Sequence, residues 1–223
     1  ISEALLNGDA QAQRTWGKAL LERGGVSPAL LDVGSDILAS AAPNAVLFTS
    51  GEMDTYPLVA LQQGRGQRTD VFVVDQRMLA EPAYRQQVWR ALGAANAPPG
   101  DGPHFVERLA ESTKRPVELA PGLPRAWAAK LKDALYPTGM VLRYSTVPVD
   151  NIPLLEKQWA AMKKNPAGGP LARNYLYCGS VLLAHYRATE NEMKVAVTEQ
   201  ELRGMAEAMG ALPQLYKAGV LKH

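Results

Sequence analysis

The chain has 223 residues, 47% of them hydrophobic and 21% charged, which is enough apolar material to bury one core with an appendage or two small cores. The formal net charge is only +2 and the longest basic cluster is the pair Lys163-Lys164, so the basic stripe that tracks a phosphate backbone is missing and nucleic acid is not expected as a partner. No apolar run reaches the roughly 18–20 residues that span a bilayer. The single Cys178 also leaves no internal disulfide framework.

Residues 2–23 read as one helix, with Ala4, Leu5, Trp16, Ala19, Leu20 and Leu21 as apolar positions and Gly24-Gly25 as its stop. Ser27-Pro28 predicts a second helix running to about Ala42, with Ser27 as N-cap and proline in the first turn. Ala45-Val46-Leu47-Phe48-Thr49 is a continuous apolar run bounded by breakers, the pattern of a strand covered on both faces. An acidic loop, Ser50 to Pro57, follows, and residues 56–64 read as a helix. Asp70-Val71-Phe72-Val73-Val74-Asp75 is a second strand. The spacing leaves room for one crossover helix, giving a βαβ unit that should be right-handed.

Residues 80–93 read as a helix, Ala97 to Pro103 as a loop, and about 103–113 as a short helix. Arg115 to Leu119 is a third strand, Pro124 to Leu135 a helix, and Gly139 to Tyr144 a fourth strand. After Pro148 the strand pattern ceases. Helices are expected over 152–164 and 171–189, and a last one from Thr198, where Thr198 and Glu201 match a capping box. The reading is therefore an α/β fold with a small Rossmann-like, mostly parallel sheet of about four strands. It divides into N-terminal helices (1–42), an α/β core (43–148) and a helical tail (149–223).

The loop carries the candidate site. Ligands of open α/β sheets sit beyond the carboxyl ends of the strands, and Ser50, Gly51, Glu52, Asp54 and Thr55 follow the first strand while Asp75 ends the second. Glu52 and Asp54 alternate, which lets both carboxylates face one cleft, with Asp75 joining from the neighbouring strand. Such a group suits sugar hydroxyls, a hard cation or acid–base work. Alternatively, Asp54 or Thr55 caps the next helix. The loop lacks phosphate-cradle motifs, and its charges repel phosphate. His104, His185 and the third histidine are too dispersed for a metal motif. Cys178 reads as a small buried hydrophobe, and Ser50 lies in no GxSxG elbow, so no catalytic residue, metal ligand or cofactor is assigned.

The segment Asn44-Ala45-Val46-Leu47-Phe48-Thr49, Gly51-Glu52-Met53-Asp54-Thr55-Tyr56-Pro57, Leu61-Gln62 and Arg68-Thr69-Asp70-Val71-Phe72-Val73-Val74 resembles part of a bacterial family of multi-pass membrane proteins similar to protein O-mannosyltransferases, of GT-C type. The soluble C-terminal portion of that family carries a G-D-N-D-T-[FY]-P loop between a strand and a helix. Arg115-Pro116-Val117 and the strand at 139–144 resemble its later strands, and tetratricopeptide-like helices often follow. Glu52 and Met53 stand where the family has aspartate and asparagine. The catalytic acid of GT-C enzymes lies between transmembrane helices, so the resemblance does not bring transferase activity to this stretch. It implies an extracytoplasmic, periplasmic setting. The chain opens at Ile1 without a signal-like n-region and h-region, which leaves a membrane segment or cleaved signal upstream as an open expectation. The functional expectation is a non-catalytic accessory domain of an envelope or membrane assembly that binds a protein partner or a glycan. The alternative is a glycan-acting enzyme, or the soluble portion of a glycosyltransferase, using the acidic loop.

Overall fold

In the computed structural model, residues 1–94 and 100–222 are described, and they form eleven α-helices around one five-stranded sheet. Part of the loop read over 97–103 lies outside the described residues. The single helix read over 2–23 is two helices, α1 (Ser2–Leu6) and α2 (Ala10–Glu22). Gly8 adopts φ +64°, and Asp9 accepts the Ala12 amide as a fresh N-cap, so the chain stops and restarts there. Helix α3 (Pro28–Ser40) starts as its sequence dictates, with Ser27 accepting the Leu30 amide at 3.2 Å.

Strand β1 (Val46–Thr49) is followed by α4 (Glu52–Arg65) and β2 (Phe72–Asp75), and the two strands pair in parallel with Val46 opposite Phe72 and Thr49 opposite Asp75. A 3-10 turn, α5 (Pro82–Ala91) and α6 (Pro103–Ser112) carry the chain over to β3 (Val117–Leu119), which pairs in parallel with the other side of β1. After α7 (Arg125–Leu131), β4 (Leu135–Pro137) and β5 (Leu142–Tyr144) form an antiparallel pair that attaches through β5 to β3. The order is β2-β1-β3-β5-β4. The fifth strand, β4, lies at the end of the stretch read as a helix over 124–135. Pro137 cannot continue a helix, but an edge strand tolerates its missing N–H.

Helices cover both faces of the sheet. Leu47 points into a core shared with Ile37 and Leu38 of α3 and with Tyr175, Cys178 and Leu182 of α9 (Asn174–Ala188). Val46 and Phe48 point into the other core, with Val88 and Trp89 of α5, Phe105 and Leu109 of α6 and Trp127 of α7. There Phe105 meets Phe48 and Trp89 edge-on, with ring centroids 6.2 and 5.6 Å apart. Helix α8 (Ile152–Ala161) precedes α9, while α10 (Glu192–Ala208) and α11 (Leu212–Lys217) follow it. Thr198 does not cap a helix. It is buried inside α10, which starts at Glu192, with Asn191 accepting the Lys194 amide as the true N-cap. Buried Asp36 ties the C-terminal region to α3, accepting from Tyr175 Oη at 2.7 Å and from the Lys163 amide at 2.9 Å.

The amino ends of the parallel strands are held by arginines. Arg68 donates to the carbonyls of Leu38, Ala41 and Ala42 at 2.7–2.9 Å and forks onto Asp70, while Asp70 accepts the Asn44 amide. Arg115 donates to the carbonyls of Asn44, Ala45 and Asp70. Arg68 thus closes the carbonyl end of α3 and fixes the entry to β1. A lysine has no planar fork to serve three carbonyls and a carboxylate together. Arg68→Lys should therefore destabilise the chain by about 2–4 kcal/mol, measured by urea unfolding, and a loss under about 0.5 kcal/mol, the range of an ordinary surface change, contradicts the clamp.

Candidate functional site

The acidic loop is mostly helix. Only Ser50 and Gly51 intervene between β1 and α4, which begins at Glu52 rather than near Tyr56. Gly51 sits at φ +138°, a backbone conformation that requires glycine, and a Cβ there would press against the Arg77 guanidinium at 3.3 Å. Because Glu52 and Asp54 are two positions apart on a helix, their side chains point to different faces. Glu52 is exposed and is met by Tyr56 Oη at 3.4 Å, while Tyr56 Oη lies 2.6 Å from Ser2 Oγ. Asp54 turns inward. Its expected meeting with Glu52 in one cleft therefore does not occur.

Asp54 is 4% exposed, and both its carboxylate oxygens accept the Ser50 amide, at 3.0 and 2.9 Å. Asp54 is thus not the helix N-cap, a position held by Gly51. It lies in the first turn and reaches back to fix the chain ahead of the cap, as the acid of a capping box does. The turn after β3 lies above it: a Cβ on Gly122 would be 3.2 Å from Asp54 Oδ2. Asp54 therefore occupies the crevice between the carboxyl ends of β1 and β3, where the sheet order reverses direction and ligands of open α/β sheets bind. Burial pushes its pKa up to about 6, against the pull of the Ser50 amide, with the Asp75 charge adding to the rise.

Asp75, also buried, is saturated. Its Oδ1 accepts the Arg77 amide and Nε at 3.0 and 3.3 Å, and its Oδ2 accepts Arg77 Nη2 at 3.0 Å and Thr55 Oγ1 at 3.2 Å. Thr55 Oγ1 in turn lies 2.7 Å from Thr49 Oγ1, linking the ends of both strands to α4. Gln76 Nε2 approaches Ser50 Oγ at 3.4 Å. Among the described residues, no three His, Cys, Asp or Glu side chains are placed to hold a metal ion, so Glu52, Asp54 and Asp75 do not make a cation site. The Cys178 thiol is buried, bonds the Gly139 carbonyl at 3.0 Å, and is pushed by burial up to about 12, a poor nucleophile.

The sequence reading missed Arg77, Gln76 and Gly122, which complete the rim. Arg77 lies two residues beyond Asp75, a spacing that offered a signal. Gly122 comes from a loop distant in sequence, so none was available. Beside the rim, Met53 is 51% and Trp16, one of the apolar positions of the first helical stretch, 53% exposed. Trp16 borders an apolar hollow of about 270 Å³ with Tyr56, Leu20 and Arg23.

The fold and site define an α/β domain with a mixed sheet, helices on both faces, and a polar rim at the topological switch point. Residues 30–103 match the family model described as TMEM260-associated domain 2, a domain related to a protein O-mannosyltransferase-like protein; the match runs from within α3 to the start of α6 and includes the rim residues from Ser50 to Arg77 but not Gly122. No curated protein and no solved structure matches the chain. Among the described residues, no helix is long and apolar enough to cross a membrane.

Asp54 gives a pH signature. Its folded-state pKa of about 6 exceeds the ordinary 3.8, so the folded chain holds the proton more tightly than the unfolded one. Its contribution to stability is then complete below about pH 4 and falls as pH rises to about 6, by at most roughly 3 kcal/mol. Asp54→Asn should flatten urea-unfolding stability across that window, gaining on the parent chain as pH rises. Parallel pH profiles for the two chains contradict the assignment.

Proposed function

We propose that this chain is a non-catalytic, extracytoplasmic α/β domain that docks a partner protein, or a glycan carried by one, through the rim at the start of α4 and the turn after β2. The observation that carries this reading is how the buried acids are used. Asp54 takes the Ser50 amide on both oxygens, and Asp75 is filled by Arg77 and Thr55. Groups spent in this way hold a surface in shape. What the rim offers outward is Met53, Glu52 and Arg77, with Trp16 beside them, a mixture of apolar and charged side chains suited to docking. The match over residues 30–103 supports kinship with the soluble portion of the O-mannosyltransferase-like, GT-C membrane family, and that kinship is the basis for the accessory role and the periplasmic setting.

A second reading rests on Asp54 alone. A carboxyl with a pKa near 6 beside a sheet crevice has the poise of a general acid acting on a glycan. The two readings separate cleanly. Incubated with a polyprenyl-phosphate mannose donor and a serine-containing acceptor peptide, the purified chain should transfer no mannose, and Asp54→Asn should behave identically. A photo-crosslinking residue at Met53 should capture a discrete partner in cells, and one at exposed Val147 should not. Turnover that vanishes in Asp54→Asn overturns the binding reading in favour of the enzyme, and equal adducts from both positions remove the rim from it.

A further inference from the structure

A second place, on the outer edge of β2 and sharing no lining residue with the rim, has the chemistry of a binding site independent of the reading above. Strand β2 is an outer strand of the sheet, paired only with β1. Along a parallel strand, successive residues point their main-chain groups to opposite sides. The Phe72 amide bonds the Ala45 carbonyl at 2.8 Å, so Phe72 and Val74 face β1 and Val73 faces outward. The positions flanking Val73 on that outer edge are occupied. Gln62 donates Nε2 to the Val71 carbonyl at 2.7 Å and to the Arg68 carbonyl at 2.8 Å, and the Tyr84 hydroxyl lies against the Asp75 main chain. Among the described residues, the Val73 N–H and C=O have no partner.

Val73 lines a groove of about 360 Å³ between the β2 edge, the α1–α2 turn and α5, a size within the range of ligand sites. Gln62, only 7% exposed, lines the same groove. Its Nε2 serves two carbonyls, which fixes the orientation of the amide and leaves Oε1 as an unpartnered acceptor. Every residue lining the groove is uncharged, and Leu5, Val59, Val88 and Ala91 supply apolar walls. The site thus offers the Val73 N–H and C=O and Gln62 Oε1, with the uncharged polar side chains of Gln13, Gln63, Thr69 and Gln87 around them, in a neutral slot. Phosphates and carboxylates find no counter-charge there, whereas a peptide main chain presents a matching N–H and C=O on each residue.

We propose that this groove takes an extended, uncharged peptide segment that adds to β2 as a further strand, pairing one of its residues with Val73 and placing another N–H on Gln62 Oε1. The test is selection of random twelve-residue displayed peptides on the whole chain, followed by amide NMR with a synthetic peptide from the enriched set. The expected result is enrichment of uncharged, β-branched sequences, a shift of the Val73 amide, and slowed exchange of that amide. Val73→Pro removes the outward donor at an edge position that tolerates proline, and Ala91→Trp fills the slot from the exposed side of α5. Each should weaken binding about tenfold or more, the effect of one lost hydrogen bond or of steric filling. Far-UV circular dichroism checks the fold, and Ala91→Trp carries the test alone where Val73→Pro does not fold. No enrichment, an unmoved Val73 amide, or equal affinity for the folded variants and the parent overturns the proposal.

Discussion

Strand β1 has no exposed residue. A strand in that position cannot send its main-chain groups to water, so both its edges must be filled, and every unfilled group costs as much as a lost hydrogen bond in the interior. The chain meets this demand by placing β2 on one side and β3 on the other, both parallel to β1. The crossover from β1 to β2 therefore runs one way across the sheet, and the one from β2 to β3 runs back past β1 to its other side. The carboxyl ends of β1 and β3 part at that point, and the start of α4 drops into the gap. The location of Asp54 follows from the need to pair β1 on both edges.

The remaining buried charges obey the same accounting. Glu118, inside β3 and wholly buried, accepts the Ala42 amide at 2.9 Å and both Nε and Nη2 of Arg143 on β5. Asp36 receives two amides and a tyrosine hydroxyl from the C-terminal region. Arg68 and Arg115 spend their donors on carbonyls at the amino ends of the strands. In each case a charge joins segments far apart in sequence, and removing one partner would strand the other in a poorly solvating interior. The amino edge of the parallel strands is thereby closed by arginine, while the carboxyl edge keeps an exposed face.

The parts of the fold that local chemistry determines were legible. The apolar runs of β1 and β2, the Ser27 cap and the parallel pairing all follow from neighbouring residues. The errors came where a pattern has two readings. Glu52-Met53-Asp54 alternates as a strand would, yet the glycine before it starts a helix, which turns the two acids apart. Thr198 and Glu201 fit a capping box, but Asn191 caps the helix earlier, and the threonine is buried within it. Strand β4 is three residues long and exists because β5 pairs with it, a tertiary effect with little local signal. Of the site, Ser50, Gly51, Asp54, Thr55 and Asp75 do gather at the sheet edge. Gly122 was illegible because its contact with Asp54 depends on where β3 lies.

The two surfaces singled out on this molecule are consequences of one topology. A central strand paired on both sides pushes the problem of unpaired edges outward, to β2 and β4. At β4, Pro137 removes an N–H that would otherwise need a partner. At β2, Gln62 occupies the outward Val71 carbonyl on one side of Val73, and Tyr84 lies against the Asp75 main chain on the other. A protein that left its outer edge wholly open would invite indiscriminate strand addition, and one that closed it fully would offer no main-chain contact at all. A single open residue, set in an uncharged slot beside a fixed acceptor, limits pairing to a short segment of matching shape. The rim differs in kind: its acids are held inward by Ser50, Thr55 and Arg77, so recognition there falls to the side chains that remain outside, Met53 and Glu52 on α4 and Arg77 itself.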